Sequence, residues 1–150
     1  IIKNKIVTAT DLTMTRFMMT MNEAIDLVFF AFKNGKNGQI FVRKSPASTI
    51  KILIKSLEKI FNKKTKIKTI GPRHGEKFHE TLITKDELKN SYEYKNYFKI
   101  SSDNRDLNYD KYFSRGTKSR IVKDYTSENT YQLNEKETIK ILKPIVKNNF

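Results

Sequence analysis

The chain contains no cysteine and no tryptophan, only three prolines and five glycines, and no apolar run near the length of about 20 residues that a membrane helix needs. The missing cysteine excludes a disulfide framework and a thiol nucleophile, and takes away the usual ligands of structural zinc. A G-x-x-x-x-G-K-[ST] phosphate loop, a G-x-G-x-x-G dinucleotide loop and a G-x-S-x-G nucleophile elbow are all absent. The opening Ile1-Ile2-Lys3-Asn4-Lys5 carries no long apolar stretch and no small-residue cleavage site, so it does not read as a secretory leader. No methionine heads it, and the expectation is a chain whose front part is missing. Together these absences point to a cytoplasmic protein without metal or thiol chemistry.

What is present is charge. Thirty Lys and Arg face sixteen Asp and Glu, a net charge of +14. A balance of that kind is a common footprint of nucleic-acid binding. Here, however, lysine supplies most of it, arginine occurring only at positions 16, 43, 73, 105, 115 and 120. The lysines are dispersed, with one cluster at Lys63-Lys64-Thr65-Lys66-Ile67-Lys68. Solvated surface charge therefore competes well with a polyanion site, and nucleic acid is not the expected partner. With 150 residues, 37% of them hydrophobic, the chain can build a modest core.

The first part alternates strand and helix signals. Short strands are expected near 6–10, 39–43 and 66–70. A helix is expected near 22–33, opened by the capping box Thr20-Met21-Asn22-Glu23 and apolar nearly all round from Ala24 to Phe32. A second helix is expected near 48–61, with Ile50, Leu53, Ile54, Leu57, Ile60 and Phe61 on one stripe. Asp11 to Phe17 reads as a loop or irregular extended stretch. This order predicts an α/β part over residues 1–84. Residues 85–150 read as a C-terminal extension. It begins with the capping box Thr84-Lys85-Asp86-Glu87 and carries an aperiodic polar and aromatic stretch from Ser91 to Tyr131. It closes with a helix near 134–143, capped by Asn134 and ended by Pro144. The aperiodic stretch is expected to lie across a partner surface, and the apolar helix to expose a face.

Two arginine-bearing segments directly follow strands: Met14-Thr15-Arg16-Phe17 and Gly71-Pro72-Arg73-His74-Gly75-Glu76-Lys77. Open α/β sheets bind ligands beyond the carboxyl ends of their strands, and guanidinium forks match phosphate oxygens. Arg16 and Arg73 are therefore candidates for a diphosphate, with ordinary surface ion pairing as the competing reading. Glu76 could hold Arg73 or accept a ribose hydroxyl. His74 and His79 lack the companions a metal site needs.

These segments also carry a resemblance. Thr10-Asp11 with Met14-Thr15-Arg16-Phe17, then Glu23-Ala24-Ile25-Asp26-Leu27-Val28, Gly38-Gln39-Ile40-Phe41-Val42, Arg73-His74-Gly75-Glu76-Lys77 with Glu80-Thr81-Leu82, Asp103-Asn104-Arg105-Asp106-Leu107-Asn108-Tyr109 and Asp124-Tyr125-Thr126-Ser127-Glu128-Asn129-Thr130 stand in one order. That order resembles the CapD-type group of extended short-chain dehydrogenases/reductases. The resemblance covers nearly the whole chain. It implies the C-terminal, substrate-binding portion of a UDP-glucose 4-epimerase or UDP-N-acetylglucosamine 4,6-dehydratase of capsule or lipopolysaccharide synthesis. It implies that Thr15, Arg16, Arg73 and Glu76 bind the UDP-sugar, the arginines at its pyrophosphate, and that the parent enzyme is a homo-oligomer. NAD(P) would be held by a Rossmann half absent from this chain. In the family a Tyr helped by a Lys four residues later takes the proton of the sugar hydroxyl, and no tyrosine here has that lysine. No catalytic residue is therefore expected on this chain. A basic polyanion-binding module and an inactive remnant are the alternatives.

Overall fold

The computed structural model describes residues 6–102 and 123–149. The Asp103–Tyr109 motif, Tyr112 and Phe113 lie outside the described residues. The described chain forms two compact units that interleave in sequence. One comprises residues 6–18, 45–80 and 127–149, and the other residues 19–44, 81–102 and 123–126. A division of the chain near residue 84 does not follow these units.

In the first unit, β1 (Ile6–Ala9) pairs in parallel with β5 (Lys66–Thr69), and β2 (Thr15–Phe17) pairs antiparallel with β4 (Ala47–Thr49). Helix α2 (Ile50–Ile60) follows β4 directly, its first turn capped by the Thr49 hydroxyl, which accepts the Ile52 N–H at 3.2 Å. The apolar stripe read from the sequence turns Ile54 inward, and Ala9, Met14, Ala47 and Leu133 of the same unit are also buried. The last helix, α4 (Glu135–Asn149), packs along α2, where the Ser56 hydroxyl donates to the Glu135 carbonyl. Asn134 caps it as expected, its side chain accepting the Glu137 N–H at 3.0 Å. Pro144 does not end it. The helix runs five residues further with Pro144 on its exposed side. A proline there leaves the carbonyl one turn back without its partner on the side where water can replace it.

In the second unit, the Thr20–Glu23 capping box is complete and opens α1 (Met21–Asn34). β3 (Ile40–Arg43), β8 (Tyr97–Ile100) and β7 (Ser91–Glu93) form an antiparallel sheet in the order β3-β8-β7. β6 (Thr81–Ile83) pairs with β9 (Tyr125–Thr126), and α3 (Lys85–Lys89) begins at the second complete capping box. Ile83, Leu88, Phe98 and Ile100 make the core, with Val42 and Tyr125 against it. The aromatics of residues 91–100 and Tyr125 thus pack partly on their own chain: Tyr97 stacks on Phe30 at 4.2 Å, and Phe98 meets Tyr125 at 5.3 Å. Tyr92 and Tyr94 stay 56% and 43% exposed, so part of the stretch is left uncovered. β-pairing hid its period, because each strand is only three or four residues long. No residue of α1 is buried, and Phe29 and Phe32 are 68% and 83% exposed. The apolar helix does expose a face.

Candidate functional site

The parallel pairing of β1 and β5 brings two distant segments to one place. Beyond the paired residues, the Ile70 N–H donates to the Ala9 carbonyl at 2.9 Å and the Gly71 N–H to that of Thr10 at 3.0 Å. The chain therefore leaves both strands at the same carboxyl end, one arm carrying Arg16 and the other Arg73. Gly71 (φ +80°) is left-handed where the second arm departs, a conformation that glycine adopts at no steric cost. Gly75 (φ +78°) sits in the turn that the Glu76 N–H closes on the Arg73 carbonyl at 3.0 Å. A Cβ would meet nothing within 4 Å at either glycine, so backbone angle rather than space is the requirement.

Glu76 joins the two arms. Its carboxylate accepts the Arg73 backbone N–H at 3.1 Å and the Thr10 hydroxyl at 3.0 Å, and it faces the Arg16 guanidinium at 3.8 Å. The Arg73 N–H holds its carboxyl below the usual glutamate range against partial desolvation, with the Thr10 hydroxyl and the charges of Arg16 and Arg73 acting the same way. Arg16 is half-buried, and its Nη2 donates to Met14 Sδ at 3.7 Å. Its Nη1 donates to the Thr15 carbonyl at 2.8 Å and the Phe78 carbonyl at 3.1 Å. Its Nε and Nη2 face Glu80 and Glu76 at 3.6 and 3.8 Å, longer than charge-assisted hydrogen bonds. The Arg73 side chain is exposed.

Thr15 has a different place from the one expected of a substrate-binding residue. It is buried, and its hydroxyl lies 2.8 Å from His79 Nδ1 and 2.7 Å from Ser127 Oγ. Ser127, fully buried, accepts the Glu80 N–H at 2.9 Å, and its own N–H donates to the Glu80 carbonyl at 2.8 Å. His79 Nε2 faces Glu128 at 3.8 Å. Of the residues the sequence pointed to, Glu76 meets the Arg16 side chain and the Arg73 backbone. The sequence did not single out Thr10, His79, Glu80 or Ser127 as one group. Only the motif stretches holding them offered a signal. Among the described residues, no group of three or more His, Asp or Glu is placed to hold a metal.

A parallel strand pair with two arginine-bearing arms leaving its carboxyl end is an arrangement of the α/β class. The comparisons place it more narrowly. Residues 1–102 match the "Polysaccharide biosynthesis protein" family and residues 103–146 match "Polysaccharide biosynthesis protein C-terminal". The chain belongs to this family, and the CapD-type resemblance read from its motifs holds. It is 49% identical over 141 residues to a UDP-glucose 4-epimerase of Rickettsia bellii (strain OSU 85-389), and 47% identical to that of Rickettsia rickettsii (strain Sheila Smith). Each match covers 93% of this chain and 41% of the relative. The solved structure of Pen from Bacillus thuringiensis superposes with a TM-score of 0.78 at 30% identity, covering 99% of this chain and 42% of Pen. The chain thus spans about two fifths of the proteins it matches. The mixed α/β fold agrees with the C-terminal part of an extended short-chain dehydrogenase/reductase.

Proposed function

We propose that this chain supplies the nucleoside-diphosphate grip of a UDP-sugar 4-epimerase of bacterial polysaccharide synthesis, with a 4,6-dehydratase as the related alternative. The observation that carries this reading is the shared carboxyl end of β1 and β5, where Glu76 ties the Arg16 and Arg73 arms together. Ligands of α/β sheets bind beyond that end. In this reading the Nε and Nη2 side of Arg16 turns to one phosphate and the exposed Arg73 to the other. Glu76 ties the arms through the Arg73 backbone N–H and the Thr10 hydroxyl, and the phosphate takes the place of its long contact to Arg16 Nη2.

The names of the relatives support the epimerase reading over the dehydratase one. NAD(P) belongs to the parent enzyme in this reading. The residues here do not fit it, since the sequence has neither a G-x-G-x-x-G loop nor a tyrosine followed four residues later by lysine. No oxidation step is assigned to this chain. The reading gives the exposed side of α1, with Ile25, Val28, Phe29 and Phe32, to the Rossmann portion that the family resemblance implies. It also takes the parent to be a cytoplasmic homo-oligomer. No helix among the described residues is long and apolar enough to cross a membrane.

The test is a UDP titration of the chain followed by amide NMR, repeated for three variants. A charge-assisted hydrogen bond contributes about 1.5–3 kcal/mol. Arg16→Ala and Arg73→Ala should therefore each raise the Kd for UDP about tenfold or more. Lys64→Ala, in the lysine cluster, should leave it unchanged. Two silent arginines and a sensitive lysine would favour a general polyanion-binding module instead.

A further inference from the structure

We infer that His79 is a positioning residue of the diphosphate grip, acting on Arg16 through a buried hydroxyl relay formed by Thr15 and Ser127. The inference rests on the functional reading above and goes beyond it by naming what fixes the arginine.

Arg16 Nη1 rests on two carbonyls, those of Thr15 and Phe78. Both belong to one junction, because the Thr15 N–H donates to the same Phe78 carbonyl at 3.1 Å. The direction of the guanidinium is thus set by how firmly β2 is held against residues 78–80. That single backbone-to-backbone bond would leave so short a junction loose. The side chains close it. His79 Nδ1 holds the Thr15 hydroxyl, and Ser127 Oγ reaches that hydroxyl, the Thr15 carbonyl at 3.2 Å and the Glu80 N–H. Ser127 is 112 residues away in sequence from Thr15, so only tertiary structure makes the clamp.

Proton counting shows that the relay is complete. With His79 protonated on Nε2 alone, that N–H faces Glu128 and Nδ1 accepts the Thr15 O–H. Ser127 then donates to the Thr15 hydroxyl oxygen and accepts from Glu80. With His79 doubly protonated, Nδ1–H donates to Thr15, Thr15 donates to Ser127, and Ser127 donates to the Thr15 carbonyl. Either arrangement uses every hydroxyl proton once. The residue needed at position 79 is therefore one that offers a hydrogen-bonding atom where Nδ1 stands. The contact to Glu128, at 3.8 Å and on an exposed carboxylate, is secondary.

This geometry sets a discriminating series. The amide of asparagine reaches the position of Nδ1, whereas the longer glutamine reaches that of Nε2. His79→Ala and His79→Gln should each raise the Kd for UDP and for inorganic pyrophosphate about five- to tenfold. His79→Asn should restore most of the loss, and Kd for uridine should not move in any of them. Acting through Arg16, the effect should also be non-additive: Arg16→Ala with His79→Gln should bind UDP no worse than Arg16→Ala alone. Thermal unfolding of each variant accompanies the titrations. Should His79→Ala fail to fold, the contrast between His79→Asn and His79→Gln decides. Equal loss in those two, additive loss in the double variant, or an equal drop for uridine would overturn the assignment while leaving the arginine grip intact. A chain that binds UDP equally well with and without Arg16 would remove the grip itself, and the role of His79 with it.

Discussion

Arg73 donates its backbone N–H to the carboxylate of Glu76, three residues later, at 3.1 Å. The turn between them is closed in the other direction by the Glu76 N–H on the Arg73 carbonyl. The pair makes a reciprocal clip, and the exposed arginine side chain starts from a backbone that is fixed at both ends.

The clip should respond to acid. Glu76 has its pKa lowered from the ordinary 4.5, chiefly by the Arg73 N–H. A depressed folded pKa means that the clip is intact above the unfolded value and is lost as pH falls through the folded one. The Arg73 amide resonance should move with a midpoint below 4.5. Glu76→Gln should abolish that movement. A midpoint at or above the ordinary value would show that the bond does not form.

Gly75→Ala tests the same turn without touching charge. Space is open around position 75, so the cost is that of forcing an L-residue to φ +78°, about 1–2 kcal/mol. The turn should loosen and the Kd for UDP rise, whereas Gly75→Asn, which tolerates the left-handed region better, should do less harm. Equal binding by Gly75→Ala and the wild type would show that the turn does not position Arg73.

In the second unit, Glu23 links a helix start to a strand. Burial raises its pKa, but the Thr20 N–H and hydroxyl together with Arg43 at 2.8 Å outweigh it and lower the value below the ordinary 4.5. Its contribution is full above the unfolded pKa and disappears as pH falls through the lower folded one. Glu23→Gln should therefore reduce stability at neutral pH, and reduce it less in acid. Thr20→Ala, which removes the cap hydroxyl, should cost about 1 kcal/mol in urea unfolding.

Two phenylalanines of that unit should behave oppositely. Phe98 is buried in the core against Tyr125, and Phe98→Ala should cost about 3–5 kcal/mol. Phe32 is 83% exposed on α1, and Phe32→Ser should change stability by no more than about 0.5 kcal/mol. The Phe32 variant, with Phe29→Ser, should instead lower self-association in light scattering, because it shrinks an exposed apolar patch.

Local chemistry was legible in the sequence. The Thr20–Glu23 and Thr84–Glu87 capping boxes depend on residues three apart, and both form. The α2 stripe and the strands near positions 6, 40 and 66 depend on periodicity within one segment, and they too form. Arg16, Arg73 and Glu76 were recognisable from strand-following segments and from the motif order. What the sequence could not show was pairing between distant residues. β2 and β4 have three residues each, too few to display a period, and exist because they hold each other. β3 pairs with β8 rather than with β1 or β5, which interleaves the two units instead of setting them in succession. Pro144 signalled a helix end, yet α4 carries it on a wet face where water can satisfy the freed carbonyl. Thr15, named for the substrate, is turned inward by His79 and Ser127. A hydroxyl has the same donor and acceptor whichever way it faces, so its role is decided by partners 64 and 112 residues away, which only the folded chain brings within reach.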